Sequence, residues 1–241
     1  MKRTLVRALA VGVTIGMLSA EPSRPPIPED EMVSKYIDAT QQQQSALRGG
    51  TMEVDIDANV PSMKTQGKLH ALRSISKLGR ITYHALGFSG DNSVKTEVIA
   101  RYLKAEVDAS AAPDGQNFAI TPENYKFKYK GEEERNGRDV YILHITPRKK
   151  KVGLFKGELW VDAQTYLPVH EAGSFVKTPS IFLKKMQFVR DYDIENGVAV
   201  PQRMESKADV RFVGAVELNV SYLKFSKEEP DSVAGASDPQ Q

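Results

Sequence analysis

The chain has 241 residues, 40% of them hydrophobic and 27% charged, an ordinary globular composition long enough for one large domain or two small ones, and we expect one. Its 33 Lys and Arg against 31 Asp and Glu give a formal net charge of +2, and it has no cysteine. The missing thiols exclude a thiolate nucleophile, a cysteine-ligated zinc site, a lipidated N-terminal cysteine and any disulfide, so stability has to come from the core.

The first twenty residues stand apart. Lys2, Arg3 and Arg7 precede an apolar run from Ala8 to Leu18, and the small Ser19 and Ala20 follow, which is the layout of a secretory signal. The run is too short to span a bilayer. Leu18 is large for a cut after Ala20, so a nearby cut and an uncleaved amphipathic anchor both stay open. Without residues 1–20, Lys and Arg fall from 33 to 30 against 31 acidic residues, and the net charge becomes about −1. A nucleic-acid partner then lacks an electrostatic basis, and a periplasmic location is expected.

Residues 21–28 carry four prolines and read as an extended linker. A helix over 30–47 follows, with acidic Glu29 to Glu31 in its first turn, a stripe of Met32, Tyr36, Ile37, Ala39 and Leu47, and Gly49 and Gly50 to end it. Met52, Val54, Ile56, Ala58 and Val60 alternate with Glu53, Asp55, Asp57 and Asn59, the cleanest strand of the N-terminal half. Its carboxylates face water and read as a solvated surface. Strands are expected over 67–77 and 79–86; on the first, Leu69, Ala71, Arg73 and Ile75 share one face, so an arginine lands among apolar neighbours.

From Asp91 the period changes. Val94, Val98, Ile99, Tyr102 and Leu103 fall at helical spacing over 91–105, with Asp91 or Ser93 as the cap, and Ser110 to Asn117 form a loop. Tyr125, Phe127 and Tyr129 alternate with lysines as the inward side of a strand, Asn136 and Gly137 turn, and Val140 to Ile145 form the next. Arg148 to Lys151 are a basic hairpin tip in water, with anionic lipid headgroups or an acidic membrane partner as the alternative. The stretch Phe155 to Val169 organises the rest: Leu159, Val161 and Ala163 point one way, and Glu158, Trp160, Asp162 and Gln164 the other. Strands over 182–189 and 204–212 and from Val216 to Phe225 follow, and the tail from Ser226 is expected to be disordered. The fold class is mainly β, a strongly curved antiparallel sheet with helices.

No catalytic signature emerges. His70, His84, His144 and His170 are scattered without ligand spacing, and neither a glycine-rich phosphate cradle nor a serine elbow is present. The expectation is a protein that is not an enzyme and has no cofactor. A curled sheet closed by helices makes a cavity, and an apolar lining needs no signature residues.

The segments Gly157-Glu158-Leu159-Trp160-Val161-Asp162 and Tyr166-Leu167-Pro168-Val169, with Phe188 to Asp193, Gly197, Pro201 and the last strand after Gly214, resemble the LolA-type family of periplasmic outer-membrane lipoprotein-sorting proteins. The resemblance covers most of the chain beyond the signal. It implies an open, incomplete antiparallel barrel with a helical lid, a monomer that carries lipoprotein acyl chains or other lipid, and an inner-membrane transporter and outer-membrane acceptor as partners. The expected lining is Leu69, Ala71, Leu159, Val161, Phe188 and Phe212. The lid contacts are Arg73, Val98 and Tyr102, with Arg73 matched to an arginine that biases the lid closed, although its surroundings differ from that motif and no proline follows it. The alternatives are an envelope sensor or adaptor like the RseB-type regulators, or an envelope assembly component that binds a protein partner.

Overall fold

A computed structural model of the chain describes residues 27–111, 118–179 and 181–227. The signal at 1–20, nearly all of the proline-rich linker, residues 112–117 of the expected loop and the tail from 228 lie outside the described residues, and Ser110, expected to open that loop, is still helical. Ten strands form one antiparallel sheet: β1 (Gly50–Val60), β2 (Thr65–Ile75), β3 (Ile81–Gly90), β4 (Tyr125–Arg135), β5 (Arg138–Pro147), β6 (Phe155–Asp162), β7 (Pro168–Phe175), β8 (Leu183–Glu195), β9 (Val198–Val210) and β10 (Gly214–Lys227). Their order is β3-β2-β1-β10-β9-β8-β7-β6-β5-β4.

Every neighbour in sequence is a neighbour in the sheet except at β3 to β4, where the chain has to travel from one edge to the other. The helices sit beside that break. Helix α1 (Glu29–Leu47) precedes β1, and the β3 to β4 connection is helical from 92 to 111 as α2 (Asn92–Val94), a π turn (Lys95–Ile99) and α3 (Ala100–Ala111). Asp91 is the cap, its carboxylate accepting from the Ser93 and Val94 amides.

Nine inter-strand gaps of about 4.8 Å would make a flat sheet roughly 43 Å wide, far more than two helices of about 10 Å can cover. The sheet curls instead. Gly157 and Gly173 are register partners on β6 and β7, and a Cβ on Gly157 would lie 1.9 Å from the Ala172 carbonyl oxygen, so only glycine permits this close approach. The sheet does not close: β3 and β4 remain its two edges.

The structure moves several expected boundaries. β3 starts two residues late and runs on to Gly90, with a bulge opposite His70 and Ala71. β10 continues through Ser226 to Lys227. Asp162 is not on the wet side of a strand: it is 2% exposed, and its Oδ1 accepts from the Gln164 and Thr165 amides and the Thr165 hydroxyl, holding the turn into β7.

Candidate functional site

One face of the sheet carries both helices, and its register places a single row of side chains across eight strands. Leu69 on β2 pairs with Ile56 on β1, then Val220, Met204, Arg190, Glu171, Leu159 and Leu143 follow on successive strands. The row is apolar at both ends and ionic in the middle. Arg190 donates to Glu171 Oε2 at 3.1 Å and to the Tyr192 hydroxyl at 3.4 Å, and burial pushes the Tyr192 phenol well up. This polar seam separates two apolar patches.

The first patch, over β2, β1, β10 and β9, includes Met52, Val54, Ile56, Leu69, Ala71 and Val220, and is covered by Val94 and Ile99 with Val98, Tyr102 and Leu103 partly buried on top. The second, over β4 to β8, includes Tyr125, Leu143, Ile145, Leu159, Val161 and Phe188, and is covered by Met32, Val33 and Tyr36 of α1. The two lids differ in how they are held. α1 buries three side chains, and its flank is tied by Gln43 to the Ala199 carbonyl and by Glu29 to the Tyr129 amide. No residue of α3 is fully buried.

Polar contacts hold α3. Glu106 accepts from the Tyr83 hydroxyl and from Arg73 Nε at 3.5 Å, while Arg73 Nε also lies 3.2 Å from the Tyr83 hydroxyl. The Arg73 side chain is 11% exposed and that of Glu106 22%. Burial and the Glu106 carboxylate push the Tyr83 phenol far above its ordinary value, so it donates at neutral pH. Tyr102 and Tyr222 face each other at 3.4 Å, and the Ser110 hydroxyl accepts from the Ile81 amide.

Of the residues singled out in the sequence, Leu69 and Ala71 lie in the first patch, Leu159, Val161 and Phe188 in the second, and Val98 and Tyr102 on the lid above the first. Arg73 keeps the inward parity of Leu69 and Ala71 because the β1–β2 register runs unbroken; the bulge falls on the β2–β3 side. Phe212 corrects the reading. It lies in the three-residue turn between β9 and β10 and is 97% exposed, so it lines nothing.

Sequence reasoning missed Tyr83, Glu106, Arg190 and Glu171. Arg190 carried the same signal as Arg73, since its parity with Phe188 puts it on the dry face. Glu106 follows Tyr102 by four, which places both on one helix side.

The helices' own side chains pack over both patches of the covered face. A hollow of about 430 Å³ runs between α1 and β4, along Val33, Ile37, Tyr125 and Phe127. Another, of about 640 Å³, lies mainly on the opposite, polar face, among Lys156, Glu158, Gln187, Glu205 and Lys207. On that face the β1 carboxylates pair with neighbours rather than converge: Asp55 with His70 at 2.7 Å and Asp57 with Lys68. Asp191 takes three partners there, Arg135 at 2.8 Å, His170 at 2.6 Å and Arg203 at 3.0 Å. Among the described residues no group of three His, Asp or Glu could hold a metal ion.

A family model described only as an uncharacterized protein matches residues 116–233. No curated protein matches the chain. Among solved structures, a LolA superfamily protein from Nitrosomonas europaea shares 13% identity over 83% of this chain and 96% of its own, with a TM-score of 0.41. The chain is similar to LolA-type structures. A DUF1329 family protein from Desulfovibrio piger ATCC 29098 shares 14% identity over 81% of this chain and 92% of its own, also at 0.41. An outer membrane lipoprotein-sorting protein domain from Vibrio parahaemolyticus shares 13% identity over 80% of this chain and 92% of its own, at 0.38.

Proposed function

We propose that the protein is a periplasmic carrier that shelters acyl chains of lipoproteins, or of other lipids, on the helix-covered face of its sheet. The observation that supports this most is the asymmetry of the lids: α3 buries no residue fully, resting only Tyr102 and Leu103 partly buried on a continuous apolar patch, and is fixed by Arg73, Tyr83 and Glu106. The π turn at Lys95–Ile99 is the hinge, because its wider backbone ring interrupts the α-helical ladder between the buried Val94 and the looser α3.

A sixteen-carbon chain gains on the order of 12 kcal/mol gross on leaving water. That is ample to displace a helix held by a few polar contacts and partly buried side chains. The chain then lies against Leu69, Ala71 and their neighbours, and the cycle reverses when a better acceptor takes it. No bond is made or broken, and no cofactor takes part. Native mass spectrometry tests the proposal: the exported protein should take up a triacylated peptide one to one and no unacylated version of it. Recovery only as the ligand-free species, with no uptake, would overturn it.

A second reading, a sensor or assembly component with a protein ligand, is favoured by one observation. β3 and β4 end the sheet without a strand partner among the described residues, and an extended segment could pair there. A pull-down that returns one protein and no lipid would select it.

A further inference from the structure

The register fixes which connections share an end of the sheet. The β1–β2 turn (61–64), the segment before β4 (118–124), the β5–β6 loop (148–154), the described residues between β7 and β8 (176–179 and 181–182) and the β9–β10 turn (211–213) all lie at one end. They are clipped to each other. Ser62 donates to the Val213 carbonyl, the Arg211 amide to the Phe182 carbonyl at 2.8 Å, the Val176 amide to the Leu154 carbonyl at 2.9 Å, and the Arg148 amide to the Asn124 carbonyl at 2.8 Å. The result is a continuous rim across the sheet.

Two properties of this rim have no role in the carrier cycle. Each connection exposes a large apolar side chain: Met63, Phe118, Val152, Ile181 at 80% and Phe212 at 97%. The rim is also basic. Its five connections carry Lys64, Arg148, Lys149, Lys150, Lys151, Lys177 and Arg211 against a single acidic residue, Glu123, in a chain whose charges otherwise nearly balance; Asp91 at the end of β3, and Glu29 and Asp30 beside Arg148, are the acidic neighbours. Phe212 adds a third mark, since its φ of +68° is a conformation an aromatic residue adopts at a cost that glycine would avoid. The bonds from the Arg211 amide to the Phe182 carbonyl and from the Val213 amide to the Val210 carbonyl hold the turn in that conformation, and the ring stays in water.

We propose that this rim docks the protein on the surface of an anionic phospholipid bilayer, with the apolar tips entering the headgroup boundary and the lysines facing lipid phosphates. Charge complementarity selects this occupant. Apolar tips interspersed with lysines match a surface that is negative outside and greasy just beneath, and each element alone would bind weakly. The exposed tips Met63, Phe118, Val152, Ile181 and Phe212 belong to neither helix-covered patch, so docking succeeds or fails whether or not acyl chains displace α3.

The absence of cysteine makes the test direct. An environment-sensitive fluorophore is placed on the full chain by Phe212→Cys, and on a second sample by Leu78→Cys, which labels an exposed turn at the opposite end. Any contribution of residues 1–26 is common to both. With vesicles of phosphatidylethanolamine and phosphatidylglycerol, the label at 212 should shift to the blue and the label at 78 should not. Added salt should weaken binding. The K149S/K150S/K151S variant should lose roughly fivefold per lysine, about a hundredfold together. Equal shifts at both positions, undiminished binding by the triple variant, or equal binding to phosphatidylcholine alone would overturn the proposal. Binding to polyglutamate without binding to vesicles would overturn it in favour of an acidic protein.

Discussion

Removing the carboxylate of Glu106 should open the lid without unfolding the sheet. At 3.5 Å and an effective dielectric of about 20, the Arg73 to Glu106 attraction is about 5 kcal/mol gross. Both ends are only partly solvated, and desolvation takes back more than half of this, leaving about 2 kcal/mol. The Tyr83 hydroxyl loses its acceptor as well. Glu106→Ala should therefore raise the population of the open lid roughly thirtyfold. Native-state hydrogen exchange reads this directly: amides in α3 should lose about thirtyfold protection while those in β1 and β10 keep most of theirs. Affinity for an acylated peptide should rise by up to the same factor, because the closed lid competes with ligand. The control is Glu97→Ala, which removes an exposed helix pair with Arg101 and should change exchange by less than about twofold. Loss of protection spread evenly over sheet and helix, or none at all, would refute the latch.

Three further outcomes follow from the same geometry. Leu159→Ala in the second patch removes a fully buried side chain and should cost about 3 kcal/mol in urea unfolding, with little change in α3 exchange. Gly157→Ala should cost more than about 3 kcal/mol or prevent folding, since its Cβ meets the β7 backbone; an unchanged melting curve would show that the sheet does not bend there. Burial alone would raise the Asp191 carboxyl, but hydrogen bonds from His170 and Arg203 and the nearby Arg135 bring it below the ordinary carboxylate value. A depressed folded value stabilises above the unfolded value of about 3.9 and is lost as pH falls through the folded one. Asp191→Asn should therefore destabilise at neutral pH by about 2 kcal/mol and flatten the acid limb of the stability curve.

The strands were legible where a single face is dry, because period-two alternation reports that directly: β1, β4 and β10 appear in the sequence nearly as they fold. Their order in the sheet was not. Pairing of β1 with β10 joins residues about 170 apart, and local pattern carries no trace of it. Phe212 was misplaced because alternation from Met204 continues by chance into a tight turn, where the side chain no longer answers to the sheet. Asp162 was misread for the opposite reason, a carboxylate whose partners are backbone amides just ahead of it. Arg73 was legible because a charge on a dry face is an anomaly, and its partner Glu106 was hidden because a glutamate on an amphipathic helix is not. The rim was invisible until folding brought five short loops to one end.

In the proposed carrier cycle α3 must leave the sheet for a lipid to bind. Tyr83→Cys and Glu106→Cys, in a chain with no other cysteine, allow the lid to be tethered by a short bis-maleimide across the latch. The tethered protein should no longer take up a triacylated peptide by native mass spectrometry, while the same double variant with each thiol singly capped binds at least as well as wild type. Undiminished uptake by the tethered protein would contradict the account.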